Sequence, residues 1–253
     1  MPPPLRELAA VARLDDEALS QKVGVAGNRI SRRDALYGLL RREQGMFATG
    51  ESRPRSEVSR ILDFAQAAYG DLVGLLVGRE DSLLDTGRDG DWSLRDLLRH
   101  AIAVELRYAA QVEYSATRAE SDPVEIRPGL LPCDRLSPPE PEFAGSRDGG
   151  IPDVLELLGK ARAGSDVRLA NVPDTALTRP SLWGTARIDV RMRLHQIAAH
   201  LTESTIQIEK IVGSAGELRS IIRRCGTTRG MHERWSPAAE RAVLDESYRA
   251  LAP

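Results

Sequence analysis

The spacing of apolar residues constrains this chain most. Val58, Ile61, Leu62, Ala65, Tyr69, Leu72 and Leu76 recur three and four residues apart, the interval that lines up side chains on one face of an α-helix. Val190, Leu194, Ile197, Leu201 and Ile208 form a second such stripe. Period-two alternation of Val, Ile and Thr is missing, and aromatic residues make up only 4% of the chain. The expected fold class is therefore all-α.

Boundary signals divide the pattern. A first long helix is expected over 56–79. A second opens at Ser93 and spans 92–118. The segment SDPVEIRPGLLPCDRLSPPEPEFAGSRDGG is rich in proline and glycine and reads as a long crossover loop. A third helix comes next, over 152–170. A fourth spans 186–212 and is stopped by Gly213. Four long helices with one long crossover predict a four-helix bundle over residues 56–213. Residues 1–55 are expected to form a helical hairpin packed on that bundle. Residues 214–253 form a helical extension, with Ser236 and Pro237 opening its last helix and Val243, Leu244 and Leu251 docking it.

The N-terminal segment reads as a partial copy of the second long helix and its approach. At an offset of 62 residues, Ser31 meets Ser93, Asp34 meets Asp96, Leu36 meets Leu98 and Glu43 meets Glu105. The shared Ser-x-x-Asp resembles a capping box, in which the hydroxyl accepts from a free helix N–H and the carboxylate accepts from the backbone of the serine. Two amphipathic helices with the same cap would also give this similarity by chance. At the aligned positions His100 faces Gly38.

Charge and composition exclude several classes. Charged residues are 28% of 253 and the formal net charge is −2, with no long run of one sign, so no nucleic-acid partner is expected. No apolar run is long enough to cross a membrane, and the first residues lack a basic segment followed by an apolar one. A cytoplasmic location is expected. Cys133 and Cys225 stand far apart and outside any Cys-x-x-Cys pair, so they read as incidental thiols. Only Lys22, Lys160 and Lys210 are lysines among 35 basic residues. This arginine preference reads as genome composition, since no sequence cluster points to anion recognition. No nucleophile elbow, P-loop or dinucleotide fingerprint occurs.

The chain has four histidines, His100, His195, His200 and His232. Two of them sit in the strings that carry a resemblance. WSLRDLLRHAIAVELRYA, residues 92–109, is similar to the second helix of the DinB/YfiT-like superfamily, and IAAHLTESTIQI, residues 197–208, resembles its fourth. The similarity in helix order and spacing covers roughly residues 56–213. It implies a helical bundle that holds a divalent metal, zinc or nickel, between a histidine of the second helix and a His-x-x-x-His pair of the fourth. Family activities include thiol S-transfer with bacillithiol, mycothiol or glutathione, and mycothiol-dependent isomerisation.

The carry-over places His100 and His200 as metal ligands. Gln207-Ile208 fixes the register of the family motif, which puts the second member of the pair at residue 204, where this chain has Ser204. A helix turns 100° per residue. His195 therefore points about 140° away from His200, while Glu203 lies about 60° from it and is the candidate third ligand. Gln196 and Gln207 flank the same face, and Asp96 stands one turn before His100.

The resemblance leaves two function classes. One is a metal-dependent enzyme of thiol S-transferase or hydrolase type, with a weakened site of His100, His200 and Glu203. It would act on a small molecule, with a low-molecular-weight thiol as co-substrate. The other is a metal-free member that serves as a binding or partner protein. A homodimer is compatible with either.

Overall fold

The computed structural model describes residues 3–49, 55–87, 91–126, 144–213 and 215–252. Most of the expected crossover loop, including Cys133, lies outside these residues. In chain order the elements are α1 (Pro3–Ala12), α2 (Asp16–Ser20), the hairpin β1 (Lys22–Val25) and β2 (Asn28–Ser31), and α3 (Arg32–Thr49). Next come α4 (Glu57–Leu76), α5 (Leu94–Thr117), α6 (Ala144–Asp148) and α7 (Ile151–Leu169). A second hairpin, β3 (Pro180–Trp183) and β4 (Ala186–Asp189), leads into α8 (Val190–Val212), α9 (Glu217–Trp235) and α10 (Ala238–Leu251). The fold is all-α, a helical bundle decorated by two small hairpins. Among the described residues no helix is long and apolar enough to cross a membrane.

The apolar stripes bury as their spacing demands. Helices α4, α5, α7 and α8 pack on one another around a core that includes Leu62, Leu72, Leu98, Leu158, Leu194 and Leu201. Each leucine so buried contributes about 2 kcal/mol. A buried ion pair between Arg162 and Glu105 ties α7 to α5. The fourth helix begins later than the sequence suggests. Residues Ala186–Asp189 are the return strand of a hairpin, and Asp189 caps α8 by accepting from the Met192 N–H at 2.8 Å. Gly213 ends it with φ +73°, a left-handed conformation that glycine adopts without a Cβ penalty.

The Ser-x-x-Asp caps form at both places, with one difference. Ser31 Oγ accepts from the Asp34 N–H and Ser93 Oγ from the Asp96 N–H, at 3.0 and 3.1 Å. Each aspartate, however, accepts from the serine hydroxyl itself, at 2.6 and 2.7 Å. The shorter side chain leaves the carboxylate over the hydroxyl instead of the backbone N–H.

The N-terminal unit matches a different part of the chain from 93–110. Residues 11–43 superimpose in pattern on 169–201, an offset of 158. The hairpin registers agree, with Lys22 opposite Ser31 and Pro180 opposite Asp189. Arg32 N–H donates to the Gln21 carbonyl as Val190 N–H donates to that of Arg179. Asp16, Ala18, Leu19, Arg29, Ile30 and Leu36 recur as Asp174, Ala176, Leu177, Arg187, Ile188 and Leu194. Thus α3 is the counterpart of α8, not of α5.

The rest of that second unit comes from the other end of the chain. Helices α1, α3, α9 and α10 pack on one another and share a core of Leu8, Val11, Leu36, Ile222, Leu244 and Tyr248, among others. Their contacts repeat those of the first group: α9 with α3 as α4 with α8, and α10 with α1 as α5 with α7. The two groups meet along α4 and α9. Residues 3–49 close a second core with the C-terminal helices.

Candidate functional site

The hydroxyl cap at Ser93 fixes where α5 begins, and Leu94 N–H is held by the Thr86 carbonyl at 2.9 Å. That anchoring sets Trp92 just outside the helix and His100 in its second turn. On α8, Asp189 fixes the start in the same way and places His200 at mid-helix. The two imidazoles face each other across the α5–α8 seam, with centroids 5.0 Å apart and planes at 60°. Trp92 meets His100 edge-on at 4.8 Å. Tyr108, two turns along α5 from His100, meets His200 at 6.1 Å, and the Arg193 guanidinium lies over the Tyr108 ring at 4.6 Å.

A pocket of about 410 Å³ opens over this pair. Its wall includes Trp92, His100, His200, Glu203 and Ser204, with Asp91, Gln207 and Lys210 also lining it. Burial, and then the neighbouring His100, push the His200 imidazole down to about 4. Burial also lowers His100. Both rings are therefore neutral at physiological pH, the state in which an imidazole nitrogen can accept a hydrogen bond or bind a metal. His100 Nδ1 is buried without a hydrogen-bond partner, and so is Gln196 Oε1. Such an atom is costly unless something else satisfies it.

Ser204 is buried on the expected face, but its hydroxyl donates to the His200 carbonyl at 2.8 Å. Glu203 lines the pocket from an exposed position. Among the described residues no group of three or more His, Cys, Asp or Glu side chains is gathered as a metal site. The structure thus brings His100 and His200 together and puts Glu203 at the same pocket without completing a triad. Asp96 is engaged by Ser93, outside the pocket lining.

The other two histidines lie elsewhere. His195 is exposed beside Phe64, as its angle on the helix requires. His232 belongs to the second core, where Nδ1 meets Ser236 Oγ at 2.7 Å, Nε2 meets the Glu43 carbonyl at 2.9 Å, and the ring stacks on Phe47. Trp92, Tyr108 and Arg193 are parts of the site neighbourhood that sequence reasoning missed. Arg193 had a signal, since it precedes His200 by seven residues and shares its helix face.

Comparison with known proteins identifies the family. No curated protein sequence and no solved structure matches the chain significantly. The family profile of the DinB superfamily matches residues 8–203, reaching back through the N-terminal unit and forward past His200. Both helices that face the pocket fall largely within the match, and on that extent the chain belongs to the DinB superfamily.

Proposed function

We propose that the pocket between α5 and α8 binds a small polar molecule, and that it does so without a tightly held metal. The observation that carries this reading is Ser204. It stands where the third ligand would, is neutral, and spends its hydroxyl on the His200 carbonyl. Two imidazoles remain. Structural zinc sites are worth roughly 10–16 kcal/mol over four ligands, so each ligand is worth about 3 kcal/mol, or two powers of ten in affinity. The donor set present therefore does not fit tight metal retention. It does fit hydrogen bonding to a ligand. His100 Nδ1 has no protein partner, and Trp92 supplies an apolar wall beside Gln207 and Lys210.

A second reading is a metal-dependent thiol S-transferase or hydrolase with a weak site. The facing, neutral His100 and His200 favour it, with Glu203 or the substrate as further ligand. A bound zinc or nickel ion would there lower the pKa of a thiol or water.

Metal analysis of protein purified without a histidine tag separates the two. The binding reading expects well under one equivalent of zinc or nickel. One retained equivalent, lost in Glu203→Ala, would establish the second reading instead.

A further inference from the structure

The arginines scattered along the sequence gather at a second opening in three dimensions. It lies between α4, α7, α9 and α10, has a volume of about 530 Å³, and shares no lining residue with the histidine pocket. Arg162, Arg229, Arg234 and Arg241 line it. Two of them are paired with two carboxylates each: Arg162 with Glu105 and Asp166, although its Nε is buried without a partner, and Arg234 with Asp63 and Asp166.

The other two are less engaged. Arg229 is only 2% exposed. Its Nη2 donates to Asp245 and to the Arg241 carbonyl, but Nε and Nη1 are buried with no partner. Arg241 donates to the carbonyls of Glu233 and Ser236, and no carboxylate among the described residues forms an ion pair with it. Unsatisfied N–H groups on a buried guanidinium are costly unless a ligand takes them up.

A third positive element converges here. Helix α10 starts at the groove, where Ala238 is part of the lining. Its N-cap is Pro237, and no side chain caps it. The first-turn N–H groups of an uncapped helix carry partial positive charge and favour an anion.

We propose that this groove is a binding site for a small oxyanion-bearing molecule, a carboxylate or a phosphate monoester, with its anionic group between Arg229, Arg241 and the N-terminus of α10. The rest of the molecule lies over Ala163, Val167 and Ala242. The acidic residues of the groove do not oppose this. Asp166 and Asp245 are paired with arginines. Glu233 accepts from the Gln66 amide, and burial raises its pKa, which favours its neutral form when an anion arrives.

The test uses the full chain with inorganic phosphate, glycerol 3-phosphate and succinate as probes, read by calorimetry and thermal shift against sodium chloride at matched ionic strength. At least one probe should give saturable binding and stabilisation, and the probe that does identifies phosphate or carboxylate as the group recognised. Binding should be roughly tenfold to a hundredfold weaker in Arg241→Ala, the loss expected of a charge-assisted hydrogen bond. Ala242→Trp and Ala163→Trp alter exposed helix positions and should fill the groove and abolish binding. His200→Ala should leave it unchanged. No saturable response from any probe, a response matched by sodium chloride, or undiminished binding in both tryptophan variants would overturn the proposal.

Discussion

Gly70 of α4 and Gly226 of α9 lie backbone against backbone, so close that a Cβ on either would collide with the carbonyl of the other. Gly74 and Gly230 extend the contact on both sides, meeting the backbone of Ile222 and Arg223 and of Gln66. Each helix supplies two glycines four residues apart, which opens one smooth face per helix. This face is the seam between the two packed groups of helices, and it holds the histidine-bearing group against the one built from the chain ends.

Substitution at this seam should therefore be costly although alanine favours helices. Gly226→Ala gains about 1 kcal/mol of helix propensity, but overpacking against backbone costs about 1–3 kcal/mol and here cannot be relieved by a side-chain rotation. Net destabilisation is expected in urea denaturation. Gly164→Ala, in α7 with nothing near a new Cβ, should instead stabilise by about 1 kcal/mol.

A second expectation concerns Glu43, which is fully buried at the centre of the second core. It accepts from Thr228 Oγ1 and Tyr248 Oη, both at 2.9 Å, and among the described residues no arginine forms an ion pair with it. Burial raises its pKa to about 7, against these two hydrogen bonds and the nearby Arg229. The folded state thus holds a proton that the unfolded state releases near 4.5. Its stabilising share is full below pH 4.5 and is lost as pH rises through 7. The lost share is on the order of 3 kcal/mol. Glu43→Gln keeps the acceptor oxygen and removes the titration, so the difference in Tm between wild type and variant should vary across pH 5–8. A pH-independent difference would refute this account.

His200 titrates with the opposite sign. Its folded pKa is depressed to about 4 from 6.5, so the stability it confers is present above 6.5 and is lost as pH falls through 4. Replacing His100 by glutamine removes the neighbouring charge and should raise the His200 pKa. Proton NMR of the imidazole C–H resonances tracks this directly. An unmoved His200 titration in His100→Gln would mean that burial alone sets it.

Much of this fold is legible in the chain. The stripe from Val58 to Leu76 and the caps at Ser93 and Gly213 mark the long helices within a few residues, because helix periodicity and caps are local. The His100–His200 pairing is legible through motif register. The hairpins are not. Pro180–Trp183 and Ala186–Asp189 are four-residue strands, too short for alternation to stand out. Without β3 and β4 their likeness to β1 and β2 is hidden as well. Shared caps alone then favour the offset of 62, whereas the offset of 158 preserves hairpin, cap and core together. The groove at Arg229 and Arg241 is equally hidden, since its residues come from four helices and form no cluster in sequence.

The Ser204 position gives the sharpest test of the histidine pocket. Ser204→His places an imidazole one turn after His200 on the same face of α8, in a position now buried and facing the pocket. With His100 across the seam, three imidazoles then surround one point with a position left open, the arrangement of catalytic zinc sites. The variant should retain near one equivalent of zinc through dialysis against a mild chelator, where wild type loses its metal. It should also gain thermal stability in proportion to ligand binding. Competition with a chromogenic chelator measures both proteins on one scale, and a gain of about a hundredfold is expected from one added ligand. Because His100 and His200 already face each other at 5.0 Å, the variant needs no movement of either helix. Failure to bind would therefore show that the two imidazoles do not converge on a common ion, which would leave hydrogen bonding to a ligand as the role of the pair.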